Sequence, residues 1–213
     1  PSGVGRAFTA LQETHPNLHV GVVGLGCGVL ATYGRPGDRF DMIEINPAVI
    51  DIAESHFSFL GDSQANIQNH LGDGRLVLER MTDTRFDLLV LDAFSSDAIP
   101  AHLLTRESMS LYQARIKSDG VLAVHISNNH LDLAPLVHRL SADAGLQSRL
   151  IRSESVREIG AQGALWVIIA RSNHKIWSNE LMATGVGPSV DDIKHAPLWT
   201  DQHHNLVSVL RLW

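Results

Sequence analysis

Cysteine is nearly absent from this chain of 213 residues, and Cys27 is its single example. One cysteine cannot form an internal disulfide, so a reducing compartment is the default expectation. The sequence also lacks a signal peptide and any apolar stretch long enough to span a bilayer. These absences predict a cytoplasmic protein. Because the chain begins with Pro1 rather than methionine, we expect it to be a fragment of a longer protein.

Basic residues are outnumbered by acidic ones, with 17 Lys and Arg against 23 Asp and Glu and a formal net charge of -6. No basic run or basic face is present, which argues against nucleic acid as the main partner. An acidic surface suits a cationic substrate such as a polyamine, although mild acidity is common among proteins. The twelve histidines have no metal-ligand spacing, so no metal site is expected.

Apolar strand-like runs alternate with helix-like segments along most of the chain. Strands are predicted near 19–24, 39–45, 67–70, 85–92, 120–127, 147–152 and 164–170, with helices between them. This alternation predicts an α/β fold with a mainly parallel sheet covered by helices on both faces. We expect a lead-in at 1–18, a nucleoside-binding domain at 19–172, and an extension at 173–213 that packs on the same domain.

The first predicted strand runs into a loop with glycine at alternate positions, Gly24, Gly26 and Gly28. Glycine allows positive φ and lets a ligand approach the backbone without a Cβ in the way. A dinucleotide-binding fingerprint would need a further glycine at position 29, which is Val. The Gly-x-Gly-x-Gly spacing is more typical of sheets that bind S-adenosylmethionine or a related nucleoside. The loop also predicts that a helix follows it and ends before Gly34.

Acidic residues follow successive predicted strands: Glu44 the second, Asp73 the third, and Asp92 and Asp97 the fourth. Ligands of parallel sheets bind where the strands end, so these carboxylates are candidate site residues. Glu44 occupies the place of an acid that accepts ribose hydroxyls. Asp73 is either a site residue or a turn residue, and Asp92 is either a site residue or a structural cap.

The segment Asp92–Pro100 resembles the Asp-Ser-Ser-Asp-Pro loop of the spermidine synthases. It is more similar still to the spermidine synthase-like domains of bacteria, which are often fused to a multi-spanning membrane domain. The similarity extends over most of the chain and rests on the segments 2–5, 24–28, 33–38, 44–47, 72–75, 92–100, 102–105, 125–128 and 199–201.

This resemblance implies a Rossmann-like, seven-strand methyltransferase fold that holds decarboxylated S-adenosylmethionine, with no metal. Glu44 would bind the ribose, Asp73 with Gly74 would face the adenine, and the glycine loop would lie under the methionine-derived part. Asp97 corresponds to the acid beside the attacking amine, and Asp92 to the first acid of the loop. The resemblance also implies a membrane domain in a longer parent chain, so that this chain is its soluble part, and a homodimer, since the synthases are commonly dimers.

Three functions are consistent with the sequence. The first is transfer of an aminopropyl group to a small amine such as putrescine, which Asp97 favours. The second is methyl transfer from intact S-adenosylmethionine to a small acceptor. The third is a non-catalytic nucleoside-binding module, which the short segment before the glycine strand favours.

Overall fold

The computed structural model describes residues 2–93, 100–159 and 162–210. Within them, seven strands form one sheet: β1 (His19–Val23), β2 (Arg39–Glu44), β3 (Asn66–Leu71), β4 (Phe86–Leu91), β5 (Ile116–His125), β6 (Gln147–Ser153) and β7 (Ala164–Ala170). Their order is β3-β2-β1-β4-β5-β7-β6, and β7 is the one strand that runs opposite to the other six. All seven correspond to predicted strands.

Helices cover both faces of this sheet. They are α1 (Gly3–Gln12), α2 (Pro47–His56), α3 (Gly74–Arg80), α4 (Arg106–Arg115), α5 (Ala134–Asp143) and α6 (Val190–His195). Buried side chains of α3, α4 and α5 form the core on one face, and those of α1 and α2 contribute to the core on the other. The predicted α/β fold with a mainly parallel, doubly covered sheet is confirmed.

Local sequence explains where several of these helices begin. The Asn46 side chain accepts the backbone N–H of Ala48, and Pro47 occupies the first turn of α2. Thr105 and Ser108 exchange hydrogen bonds in a capping box that starts α4. β4 is buried along its whole length because it lies at the centre of the sheet with both faces covered.

The structure differs from the prediction directly after the glycine loop. A short 3-10 helix, Val29–Tyr33, replaces the predicted helix and follows Gly28, whose φ is 82°. The connection from Gly28 to Arg39 must also return along the sheet, about 16 Å for a strand of five residues, so little chain is left for a longer helix. Helix α6 and a 3-10 turn, Leu206–Val209, lie in the extension at 173–213.

No helix among residues 2–93, 100–159 and 162–210 has the length and apolarity needed to cross a membrane.

A buried carboxylate joins the first three strands of the sheet. Asp41 on β2 is 1% exposed and accepts hydrogen bonds from His19 on β1 at 2.5 Å and His70 on β3 at 2.7 Å. Arg39 donates a third hydrogen bond at 3.2 Å. Burial alone would raise the pKa of Asp41, but these donors outweigh burial and lower the pKa to about 2 from the ordinary value of 3.8.

Replacing Asp41 with Asn should therefore destabilise the protein in a pH-dependent way. A carboxylate whose pKa falls on folding stabilises the native state above its unfolded pKa, and the contribution is lost as the pH falls through the folded pKa. We expect D41N to lower the free energy of unfolding by about 2 kcal/mol at pH 7, and the difference from wild type to shrink between pH 4 and pH 2. Urea denaturation of both proteins at several pH values between 7 and 2 measures this difference in the free energy of unfolding. The exposed Asp83→Asn serves as control, and a D41N deficit that stays constant down to pH 2 would contradict the assignment.

Candidate active site

A cavity of about 390 Å³ opens at the carboxyl ends of β1, β2, β3 and β4. This volume lies in the range of small-molecule sites. Most of the predicted site residues line it together. The described residues around it are Val23, Gly24, Gly26, Ile43, Glu44, Ile45, Val49, Gly72, Asp73, Gly74, Asp92, Ala93, Pro100, His102 and Leu103.

The glycine loop forms one wall of this cavity. Gly24 has a φ of 96°, and a Cβ at that position would lie 2.3 Å from the carbonyl oxygen of Asp92, so only glycine fits there. Gly26 also has positive φ, lines the cavity, and has nothing within 4 Å of its Cβ position. Gly28 does not line the cavity, and its Cβ position lies against Leu60 instead. The loop therefore contributes two of its three glycines to the cavity.

Glu44 ends β2, and its carboxylate accepts two backbone N–H groups, one from the glycine loop and one from the N-cap residue of α2. One carboxylate oxygen accepts the N–H of Leu25 at 3.0 Å, and the other accepts the N–H of Asn46 at 2.9 Å. Each carboxylate oxygen has a further lone pair for a ligand hydroxyl. Glu44 thus supports the loop as well as lining the cavity, and its predicted contact with ribose stays a prediction.

Asp73 caps α3 and pairs with a histidine that the sequence did not single out as a site residue. One oxygen of Asp73 accepts the N–H of Leu76 at 3.0 Å, and the other lies 3.0 Å from Nε2 of His102. Burial acts to raise the pKa of Asp73, but the Leu76 amide and the His102 imidazole outweigh it, and the pKa lies below the ordinary value. Next to it, Gly74 lets α3 approach β1, because a Cβ there would lie 2.3 Å from the Val23 side chain.

Asp92 follows β4 and takes part in a hydrogen-bonded chain. Its Oδ1 lies 2.6 Å from Nδ1 of His125, and Nε2 of His125 lies 2.7 Å from Oγ of Ser127. The same Oγ accepts the backbone N–H of Leu165 at 2.8 Å. Asp97, predicted as the acid beside the amine, lies outside the described residues.

An ion pair from the last part of the chain fixes the loop that carries His102. The two terminal nitrogens of the Arg75 guanidinium, Nη1 and Nη2, each donate to one carboxylate oxygen of Asp201 at 2.6 Å. Nη1 also donates to the His102 carbonyl at 3.2 Å. Thr105 donates to Asp201 at 2.8 Å. The hydrogen bond from Arg75 lowers the pKa of Asp201 to about 2. The segment 199–201 was noted only for its resemblance, and this role was not predicted.

The electrostatic character of the cavity follows from its lining. The described lining contains three carboxylates, Glu44, Asp73 and Asp92, and one histidine, His102, with no lysine or arginine. A cavity lined in this way favours a cationic ligand over an anionic one.

The strand order, the single antiparallel strand β7 and the glycine loop with acids at the carboxyl edge define a Rossmann-like protein of the seven-strand methyltransferase fold class. No protein-family model matches the chain.

Comparison with curated sequences finds relatives that transfer chemical groups. The chain is 34% identical over 109 residues to a polyamine aminopropyltransferase of Vibrio vulnificus, a match that covers 49% of this chain and 36% of that protein. Other curated relatives carry the names of methyltransferases. The chain thus spans little more than a third of the aminopropyltransferase it matches.

Comparison with solved structures confirms the predicted fold. A probable spermidine synthase from Corynebacterium glutamicum superposes with a TM-score of 0.62 at 16% identity, covering 87% of this chain and 71% of that chain. Human methyltransferase-like protein 13, solved in complex with SAH, gives a TM-score of 0.59 at 17% identity over 92% of this chain and 90% of that one. The predicted likeness to spermidine synthases is therefore found, and an equal likeness to methyltransferases accompanies it.

The close contact between Gly24 and the Asp92 carbonyl predicts that adding one methyl group at position 24 destabilises the protein. Gly24→Ala places a Cβ against a backbone carbonyl at positive φ, and we expect it to cost more than about 3 kcal/mol of stability. Gly145→Ala is the matched control, because Gly145 also has positive φ, 71°, but nothing within 4 Å of its Cβ position. It should cost about 1 kcal/mol. Thermal and urea unfolding measure both, and equal losses in the two variants would refute the steric role of Gly24.

Proposed function

We propose that the protein transfers an aminopropyl group from decarboxylated S-adenosylmethionine to a small amine such as putrescine. The observation that carries the proposal is the cavity lining, with three carboxylates and no lysine or arginine among the described residues. The decarboxylated donor is a sulfonium with an ammonium group and no carboxylate, so it suits such a cavity better than the intact donor does. The similarity to a polyamine aminopropyltransferase, which covers 49% of this chain, supports the same choice.

The donor nucleoside occupies the cavity at the ends of β1, β2 and β3. Glu44 accepts the ribose hydroxyls through the lone pairs that its contacts with Leu25 and Asn46 leave. Asp73 and Gly74 lie beside the adenine, and Gly24 and Gly26 lie under the aminopropyl chain. These roles rest on the position of each residue at the strand ends.

The reaction is a displacement at carbon. The acceptor nitrogen forms a bond to the aminopropyl carbon next to sulfur, the carbon–sulfur bond breaks, and its electron pair stays on sulfur to give methylthioadenosine. The thioether leaving group needs no proton. The acceptor must instead lose one proton, and the protein must hold the nitrogen in line with the carbon and the sulfur.

Among the described residues, Asp92 is the best placed to bind and deprotonate the acceptor amine. Its side chain is 30% exposed, lines the cavity, and has one oxygen held by His125. The other oxygen binds the ammonium form of the acceptor and takes one proton from it, which frees the nitrogen lone pair to attack the carbon. Asp97 acts with it in this proposal by resemblance alone, since it lies outside the described residues.

Methyl transfer is the second candidate. Several curated relatives have methyltransferase names, and the match to human methyltransferase-like protein 13 covers 90% of its solved chain. This alternative requires a group that binds the carboxylate of the intact donor, and the described lining residues include no lysine or arginine. A non-catalytic nucleoside-binding module is the third candidate. The homodimer, the membrane domain and the cytoplasmic location stay predictions.

A product assay separates the three. The protein is incubated with putrescine and either the decarboxylated or the intact donor, and the nucleoside product is identified by mass. Methylthioadenosine whose formation depends on putrescine supports aminopropyl transfer. S-adenosylhomocysteine indicates methyl transfer and overturns the proposal. Donor binding by calorimetry without either product indicates the non-catalytic module.

Two substitutions should separate donor binding from the chemical step. Glu44→Gln removes a hydroxyl acceptor and its charge, so the KM for the donor should rise about tenfold. Asp92→Asn keeps the shape but removes the proton acceptor, so kcat should fall about 100-fold with little change in donor KM. The exposed Glu54→Gln on α2 is the control for lost charge. Equal effects of E44Q and D92N on donor KM would contradict these roles.

A further inference from the structure

His125 lies at the end of β5, outside the lining of the nucleoside cavity, yet it is bonded to a residue of that lining. Its two ring nitrogens have different partners, Asp92 at 2.6 Å from Nδ1 and Ser127 at 2.7 Å from Nε2. The side chain of His125 is 22% exposed. A half-buried imidazole with a partner at each nitrogen is held in one orientation.

These partners select one tautomer of the imidazole. The Asp92 carboxylate only accepts hydrogen bonds, so Nδ1 carries the proton. Ser127 Oγ accepts the backbone N–H of Leu165 at 2.8 Å and keeps its own proton to donate to Nε2. The Leu165 amide thus orients the serine, the serine orients the imidazole, and the imidazole orients the carboxylate.

A third contact fixes the plane of the ring. His125 stacks on Trp166 with ring centroids 4.6 Å apart and an interplanar angle of 11°. Trp166 is 4% exposed and lies opposite His125 in the antiparallel pairing of β5 with β7. Gly3 of α1 packs against the tryptophan, since a Cβ at Gly3 would lie 2.6 Å from the Trp166 Cβ. The ring therefore has a rigid support.

We infer that His125 is the positioning residue of Asp92, and that it directs the second carboxylate oxygen towards the amine acceptor. The inference deepens the proposed function and rests on it for the identity of the acceptor. The hydrogen bond from Nδ1 occupies Oδ1, which leaves Oδ2 as the oxygen that binds and deprotonates the amine. Without this bond the carboxylate rotates about its side-chain torsions, and a misplacement of about 1 Å is enough to cost about 100-fold in rate.

The tautomer of His125 can be measured by NMR, without an assay of enzyme activity. In ¹⁵N-labelled protein, long-range ¹H–¹⁵N correlation spectra distinguish Nδ1–H from Nε2–H imidazoles, and His125→Asn identifies the signal by its loss. We expect the Nδ1–H form in the wild type and a shift towards Nε2–H in Asp92→Ala, where the carboxylate that accepts from Nδ1 is lost. An Nε2–H form in the wild type would overturn the inference.

Kinetics test the consequence for the reaction. His125→Asn keeps an N–H donor near the position of Nδ1, whereas His125→Phe keeps the ring on Trp166 and loses the donor. We expect kcat of H125F to fall about 100-fold and that of H125N to stay within about threefold of wild type, with donor KM unchanged in both. The exposed His195→Asn on α6 is the control, and thermal unfolding checks that both variants fold.

Three results would count against the positioning role. They are a wild-type kcat in H125F, a loss in folded H125N as large as that in H125F, or a rise in donor KM that accounts for the loss. If the wild type forms no methylthioadenosine, the proposed function fails, and the tautomer measurement still decides whether His125 holds Asp92.

Discussion

The close approach of two strand ends is the constraint on which this site depends. β1 and β4 are neighbours at the centre of the sheet, and the N–H of Asp92 bonds to the carbonyl of Val23 at 2.8 Å. The next residue of the first strand, Gly24, passes so near the Asp92 carbonyl that no side chain fits between them. Because of this junction, the glycine loop turns away over the sheet edge and the Asp92 carboxylate faces the same cavity as the loop.

The remaining walls of the cavity follow from that junction. Glu44 of the adjacent strand reaches the turned loop and holds it at Leu25. Gly74 lets α3 close in on Val23 from the other side. Each of these contacts involves backbone or a missing side chain, so the cavity is shaped mainly by chain geometry, and the carboxylates then set its charge.

The site residues that could be predicted from the sequence are those that directly follow parallel strands. Once alternating strands and helices are recognised, residues such as Glu44 and Asp73 must meet at one edge, because parallel strands end on the same side. The helix after Gly28 ends before Gly34 as predicted, but it is a short 3-10 helix, because the chain must still travel back to the start of β2. Gly28 was predicted to belong to the ligand-binding loop; its Cβ position lies against Leu60, and the described cavity lining does not include it.

Partners that are distant in sequence could not be predicted in the same way. His102 reaches Asp73 across 29 positions, and Arg75 meets Asp201 across 126. Neither pairing has a local pattern, because the contact arises from the path of loops rather than from a periodic element. The chain Asp92–His125–Ser127 was also missed, although the segment 125–128 was noted for its resemblance, since these contacts are fixed only by the pairing of β5 with its neighbours.

The reversed direction of β7 has a consequence for how insertions would be tolerated. In this sheet Trp166 faces His125 because the pairing of β5 with β7 has a fixed register, and a slip of one residue would turn the tryptophan to the opposite face. The register of β7 with β5 and β6 therefore determines whether Trp166 lies under the His125 ring. A single residue gained or lost inside β7 would shift that register and move Trp166 away from the His125 ring.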